Sequence, residues 1–196
     1  MSILRLGVMG GTFDPIHFGH LIAAEAVAKS YELDSVIFVP TGNSWQKNAT
    51  TSAEHRLAMT KLAVSYFPDF QVSTVDVDRQ GDTYTVDTLS DLKSQHPDAH
   101  FFFITGADSL AGINTWKESQ KLWDLAHFVG VTRPGHKLEV PVSPVGAVTL
   151  LEIPALAISS SEIRAKVISG ESLEGLVPAK VLDYIAEHNL YQGNDD

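Results

Sequence analysis

Residues Gly10 to His20 read GGTFDPIHFGH and directly follow an apolar run, Ile3–Met9. Two imidazoles, His17 and His20, stand three residues apart, so on one helical turn they share a face. Gly10 and Gly11 have no Cβ, which lets the backbone come close to a bound group. From Phe18 onward the chain (FGHLIAAEAVAKSYEL) has a helical pattern. A glycine turn that opens a helix presents backbone N–H groups and the positive end of a dipole, a ready site for phosphate. Two imidazoles beside such a cradle point to chemistry on a phosphate. A second constellation is ISSSEIR, Ile158–Arg164, with Pro154 ahead of it. Its serines and Glu162 form a capped helix start, and a capped helix alone would explain them. Arg164 adds more: one turn in, it can reach back to an anion as a planar, permanently charged fork.

Other phosphate and metal chemistries fit less well. The chain contains neither a G-x-x-x-x-G-K-[ST] loop nor a G-x-G-x-x-G fingerprint. Zinc at His17 and His20 would need a third ligand, and no other histidine has telling spacing. A lone histidine pair at a helix start reads by default as caps or solvated residues. Here Gly10, Gly11, Asp14 and Gly19 surround the pair and favour a functional role.

These residues need elements to hold them. Strand-like runs occur at Arg5–Met9, Ser35–Pro40, Phe70–Val77, His100–Thr105, His127–Thr132 and Thr149–Ile153. Helical stretches lie between several of them, at Phe18–Tyr31, Ala53–Tyr66, Val86–Gln95 and Glu118–Leu125. Alternating strands and helices indicate an α/β fold with a Rossmann-like, doubly wound, mostly parallel sheet and helices on both faces. VIFV, FFFI and FVGV are continuously apolar, as strands buried on both sides should be. A helical C-terminal part, about 159–192, contains Ser159–Ser169 and Ala179–His188, with Pro178 suited to start the second helix. The chain reads as one domain over 1–196, with Thr41–Ser52 the best candidate for a mobile loop and Lys137–Val148 a second loop region. Gly10–His20, Pro40–Lys47, Gly106–Asp108 and Arg133–Gly135 each follow a strand, so all four fall on the sheet edge where such folds bind ligands.

Composition narrows the partners. The net charge is −10, which argues against wide contact with a nucleic-acid backbone but leaves room for a small phosphorylated ligand. With no cysteine there is no disulfide, thiolate metal site or cysteine nucleophile, and a reducing cytoplasm suits the chain. No run approaches the roughly 18 apolar residues of a membrane span, so no membrane partner is expected.

GGTFDPIHFGH together with ISSSEIR resembles the nucleotidylyltransferase superfamily that carries an H-x-G-H motif near the N-terminus and an I-S-S-T-x-I-R-like motif near the C-terminus. Within it the chain is similar to the bacterial nicotinate-nucleotide adenylyltransferases, most closely the actinobacterial type. VPTGNSWQK (39–47), EHR (54–56), DTYTVDTL (82–89), TGADSL (105–110), Trp116 and RPG (133–135) follow in the expected order. The resemblance implies adenylyl transfer from ATP to nicotinate mononucleotide, by in-line attack of the substrate's own phosphate without a general base. It implies His17, His20, Lys47 and Arg164 as catalytic residues. Gly10, Gly11, Thr12, Phe13, Gly19, Gly106, Asp108, Ile158, Ser160 and Ser161 join the histidines and Arg164 in binding ATP, with Asp108 at the ribose. Lys47, Thr85, Trp116 and Arg133 would take the nicotinate nucleotide, Trp116 by stacking. Mg2+ would arrive on the ATP phosphates, with no dedicated protein ligands. Arg56 is expected in a structural ion pair. Some family members are homo-oligomers, and no interface is legible here. The chain departs from the family at SWQK (44–47), where a PPHK-like run is common: the lysine is kept, and the histidine and prolines are not.

Overall fold

The computed structural model describes residues 3–44, 49–132, 140–154 and 158–192. Six parallel strands form its main sheet: β1 (Arg5–Gly11), β2 (Ser35–Pro40), β4 (Phe70–Val72), β6 (His100–Gly106), β7 (His127–Thr132) and β8 (Val148–Glu152). Their order is β4-β2-β1-β6-β7-β8, so the winding reverses between β1 and β6. A crevice opens at the carboxyl ends of those two strands.

Period-two alternation divides the strand side chains between two cores. Val36 and Phe38 of β2, Phe102 and Ile104 of β6 and Val129 of β7 face one side. There they pack with α1 (Phe18–Ser30), α2 (Ala53–Val64), α6 (Ser160–Ile168) and α7 (Ala179–Glu187). Ile37, Val39, Phe101, Phe103 and Phe128 face the other, against α3 (Thr85–Gln95), α4 (Ala107–Ala111) and α5 (Ser119–Leu125). In α1 the buried residues Leu21, Ala24 and Val27 recur every third position, one stripe laid on the sheet. The helix stops at Tyr31, whose N–H bonds the Val27 carbonyl.

Some boundaries differ from the sequence expectation. The run expected as a strand over 70–77 is a strand only to Val72. Beyond it Asp78 turns back to the Thr74 carbonyl, and the Asp76 carboxylate is buried against Thr88 Oγ1 (2.8 Å) and Arg79 (2.7 Å). A carboxylate drawn inward by side-chain donors replaces the ladder. A two-stranded parallel sheet, β3 (Asn43–Ser44) with β5 (Asp82–Thr83), lies within what reads as loop, as do α4 and a 3-10 turn at Ile113–Thr115. Each is too short to carry periodicity. No helix among the described residues is long and apolar enough to cross a membrane.

Candidate active site

The crevice holds a cavity of about 470 Å³. Gly10, Gly11, Thr12, Phe13, His17, Gly19 and His20 line it from the end of β1 and the start of α1. Gly106 and Ser109 line it from the end of β6, and Ile158, Ser160, Ser161 and Arg164 from the start of α6. The two constellations, 138 positions apart from His20 to Ile158, thus face one space. Asp108 does not line it and is exposed on the first turn of α4. Lys47 and Arg133 lie outside the described residues. Thr85 and Trp116 lie off the cavity wall. Thr85 opens α3, and Trp116 is half-buried with its edge toward Phe103 and Phe128. Neighbouring Lys117 ties them together: its ammonium sits 4.5 Å over the Tyr84 ring and 2.9 Å from the Asp87 carboxylate.

The histidine pair is tightly held. The rings stack at 3.8 Å between centroids, and Phe13 meets His20 edge-on at 5.0 Å. The His17 N–H donates to Nδ1 of His20 at 3.3 Å. With that lone pair occupied, the proton of a neutral His20 sits on Nε2. His17 caps α1 and is 6% exposed, and its Nδ1 has no hydrogen-bond partner among the described residues. Burial lowers its pKa from 6.5 to about 4. It is therefore neutral at pH 7 and offers a dipolar N–H in place of a positive charge.

The depressed value has a thermodynamic consequence. Between about pH 4 and 6.5 the unfolded chain binds more protons at this site than the folded one, so its contribution is full above 6.5 and fades as pH falls toward 4. Across the window this is worth about 3 kcal/mol. Urea unfolding at pH 7 and pH 4.5 should show wild type losing more stability on acidification than His17→Asn. Equal losses would remove His17 as the source.

Serines and arginine at the α6 start are more committed than their sequence suggests. Ser159 is the cap and accepts the Glu162 N–H at 3.2 Å. The Ser160 hydroxyl donates to the Pro15 carbonyl at 2.9 Å, leaving the backbone N–H of that residue as its donor toward a ligand. Arg164 donates to the Asp14 carbonyl at 2.6 Å and to Ser161 Oγ at 3.3 Å. At α1, the Phe18 N–H is spent on the Leu176 carbonyl (3.0 Å).

Arg56 corrects an expectation. It has no carboxylate partner among the described ion pairs; its guanidinium donates to the carbonyls of Thr12 (2.8 Å), Thr41 (2.6 Å), Gly42 (2.8 Å) and Thr51 (3.3 Å). Asp14, next to the glycine turn, is the other organising residue that sequence reasoning left without a role. Its carboxylate is 4% exposed and accepts from the Thr50 N–H (2.6 Å), the Thr51 hydroxyl (2.7 Å) and the Tyr191 hydroxyl (2.7 Å). The flank of the expected mobile loop is thus fastened at Thr50–Thr51, while 45–48 lie outside the described residues.

A family model described as cytidylyltransferase-like matches residues 8–166. A protein of Leifsonia xyli subsp. xyli, named probable nicotinate-nucleotide adenylyltransferase, is 57% identical over 188 residues, 96% of this chain and 94% of its own. One of the same name from Streptomyces coelicolor is 56% identical over 94% of this chain and all of its own. The chain belongs to the nicotinate-nucleotide adenylyltransferase family. The Plasmodium falciparum nicotinic acid mononucleotide adenylyltransferase complexed with NaAD shares the fold, with a TM-score of 0.77 and 24% identity over 96% of this chain and 97% of that one.

In this adenylyltransferase Gly19 is required by space. A Cβ there would lie 2.9 Å from two atoms of the His17 ring, which is itself stacked on His20. Gly11 likewise leaves room for Phe13, which adopts a left-handed φ of 50° and whose ring a Cβ at Gly11 would meet at 2.9 Å. Gly19→Ala is expected to displace the His17 ring and lower turnover about tenfold or more, with thermal stability nearly kept. Steady-state kinetics beside a melting curve checks it; unchanged turnover would show that the ring has slack.

Proposed function

We propose that the protein transfers the adenylyl group of ATP to nicotinate mononucleotide, forming nicotinate adenine dinucleotide and releasing pyrophosphate. The observation that carries the reading is the shared cavity: His17, His20, the glycine turn and Arg164 line one space in a chain 57% identical to a named relative. The attacking group is the mononucleotide's phosphate. Its second pKa is about 6, so it is largely ionised at neutral pH and needs no base. The protein's task is then to position the two nucleotides and to stabilise charge on the transferred and leaving groups.

On this reading Gly10–Thr12 and the Gly19 N–H cradle the triphosphate beside Phe13. His17 and the Nε2–H of His20 donate near the α-phosphate. Arg164 and the backbone N–H groups of Ser160 and Ser161 hold the departing pyrophosphate. The adenosine half lies among Gly106, Asp108 and Ile158. Lys47 adds charge where the two phosphates meet. The acceptor takes Trp116 under its ring, Thr85 and neighbouring N–H groups at its carboxylate, and Arg133 nearby.

Mg2+ fits as a passenger on ATP. The carboxylate among the described lining residues is Asp14, and its oxygens already accept three donors. The ion would be held by phosphate oxygens and water, and would offset their charge when bound.

The test is pyrophosphate release by the purified protein with ATP and Mg2+, offering nicotinate mononucleotide, nicotinamide mononucleotide and phosphopantetheine in parallel. Strong preference for the nicotinate acceptor is expected, because a site built for an anion leaves donors unpaired against the neutral amide. Release with another acceptor alone overturns the acceptor half, and release with none overturns the reading.

A further inference from the structure

Tyr191 stands near the end of the chain, 177 positions from Asp14, yet its hydroxyl donates to Asp14 Oδ1 at 2.7 Å. The phenol is 7% exposed and belongs to the core that contains Phe13 and Ile16. Tyr191 itself holds a left-handed φ of 64°, which disfavours a bulky L-residue, whereas Asn189, at φ 50° just past the end of α7, is a residue type that tolerates it. Burial and the neighbouring Asp14 push the phenol's pKa up, so it is a hydrogen-bond donor at any working pH.

Asp14 is the joint on which several cavity walls meet. Its Oδ1 takes the Tyr191 and Thr51 hydroxyls, and its Oδ2 takes the Thr50 N–H. Its main-chain carbonyl takes the Arg164 guanidinium at 2.6 Å, and the next carbonyl, of Pro15, takes Ser160 Oγ. Three residues on stands His17. A shift of Asp14 therefore moves Arg164 relative to the histidines, across the space where a triphosphate would lie.

We propose that Tyr191 is a positioning residue for adenylyl transfer, latching Asp14 so that Arg164 and the His17–His20 pair keep their spacing across the cavity. The inference rests on the proposed function for its catalytic readout. It assigns to the C-terminal segment after α7 a part in the reaction, although none of that segment's described residues lines the cavity.

Tyr191→Phe keeps the ring and removes only the hydroxyl. Turnover should fall about tenfold, as expected for misplacement of catalytic groups by a fraction of an ångström. KM for ATP and for the acceptor should stay within about threefold and the melting temperature near wild type. Thr51→Val removes the other hydroxyl from the same oxygen and should produce a loss of the same kind. Because both act through Asp14, the double variant should lose less than the product of the two single losses. A readout free of turnover is amide exchange at Thr50, which should quicken in Tyr191→Phe while the β2 amides stay protected. Unchanged turnover in Tyr191→Phe, multiplicative losses, or a turnover loss that only follows loss of folded protein would each overturn the positioning role. Failure of wild type to turn over with any acceptor would overturn the proposed function instead. Thr50 exchange would then decide the latch: quickened exchange sustains it, and unchanged exchange overturns it.

Discussion

Replacing His20 by Ala should lower turnover by about 10²–10³-fold, the cost of removing one preorganised donor from developing charge, while ATP still binds. The geometry makes His20 such a donor. Its Nδ1 accepts the His17 N–H, its ring is stacked on His17, and Phe13 closes its edge. The imidazole is held on three sides before any ligand arrives, with the proton of its neutral form on Nε2. ATP affinity should fall far less, since the glycine turn, the α6 N-terminus and Arg164 remain in the same cavity. Calorimetric titration with ATP beside steady-state turnover separates the two quantities. If affinity and turnover fell together by the same factor, His20 would serve ground-state binding and not the transition state. A nucleotide sensor would have no turnover to lose, so the same variant divides an enzyme from a binding module.

What was legible in the sequence follows from what leaves a local trace. Ser35–Pro40 and His127–Thr132 are strands with the boundaries read from their apolar runs, because burial on both faces demands continuous hydrophobicity. Gly10–His20 and Ile158–Arg164 were each legible as anion-binding helix starts, but that they share one site was implied only by the family resemblance, since no spacing joins segments so far apart. Asp14 and Tyr191 show the limit. Each is an ordinary residue locally, and only the tertiary fold brings them together. Arg56 was expected in a structural ion pair, but its partners are carbonyls from three separate turns, which no spacing encodes. The β3–β5 pair has two residues per strand, too few for alternation to show. At Ser160 the residue type suggested a phosphate donor, whereas the hydroxyl proton is already engaged by Pro15.

Arg56→Ala should cost about 4 kcal/mol of stability, since a buried charge-assisted network is lost and its acceptors stay behind. For a chain of this size that is roughly a 10 °C fall in melting temperature. The side chain is 2% exposed, and its donors go to the carbonyls of Thr12 after β1, Thr41 and Gly42 after β2, and Thr51 before α2. Burial lowers its pKa and Asp14 opposes that shift, but a guanidinium remains charged at any physiological pH. Truncation strands carbonyl oxygens in a space that excludes water, and each such oxygen carries a desolvation penalty. Arg56→Lys keeps the charge but not the planar fork, and one ammonium cannot face three turns at once. It should recover less than half of the lost stability, and thermal unfolding of both variants tests this. A lysine variant as stable as wild type would mean that charge alone matters and that the divergent carbonyls do not. Turnover should also drop in the lysine variant at temperatures where it is fully folded. Thr12 and Thr51 belong to the two segments that flank Asp14, so loosening their common tie loosens the wall that Arg164 and His17 share.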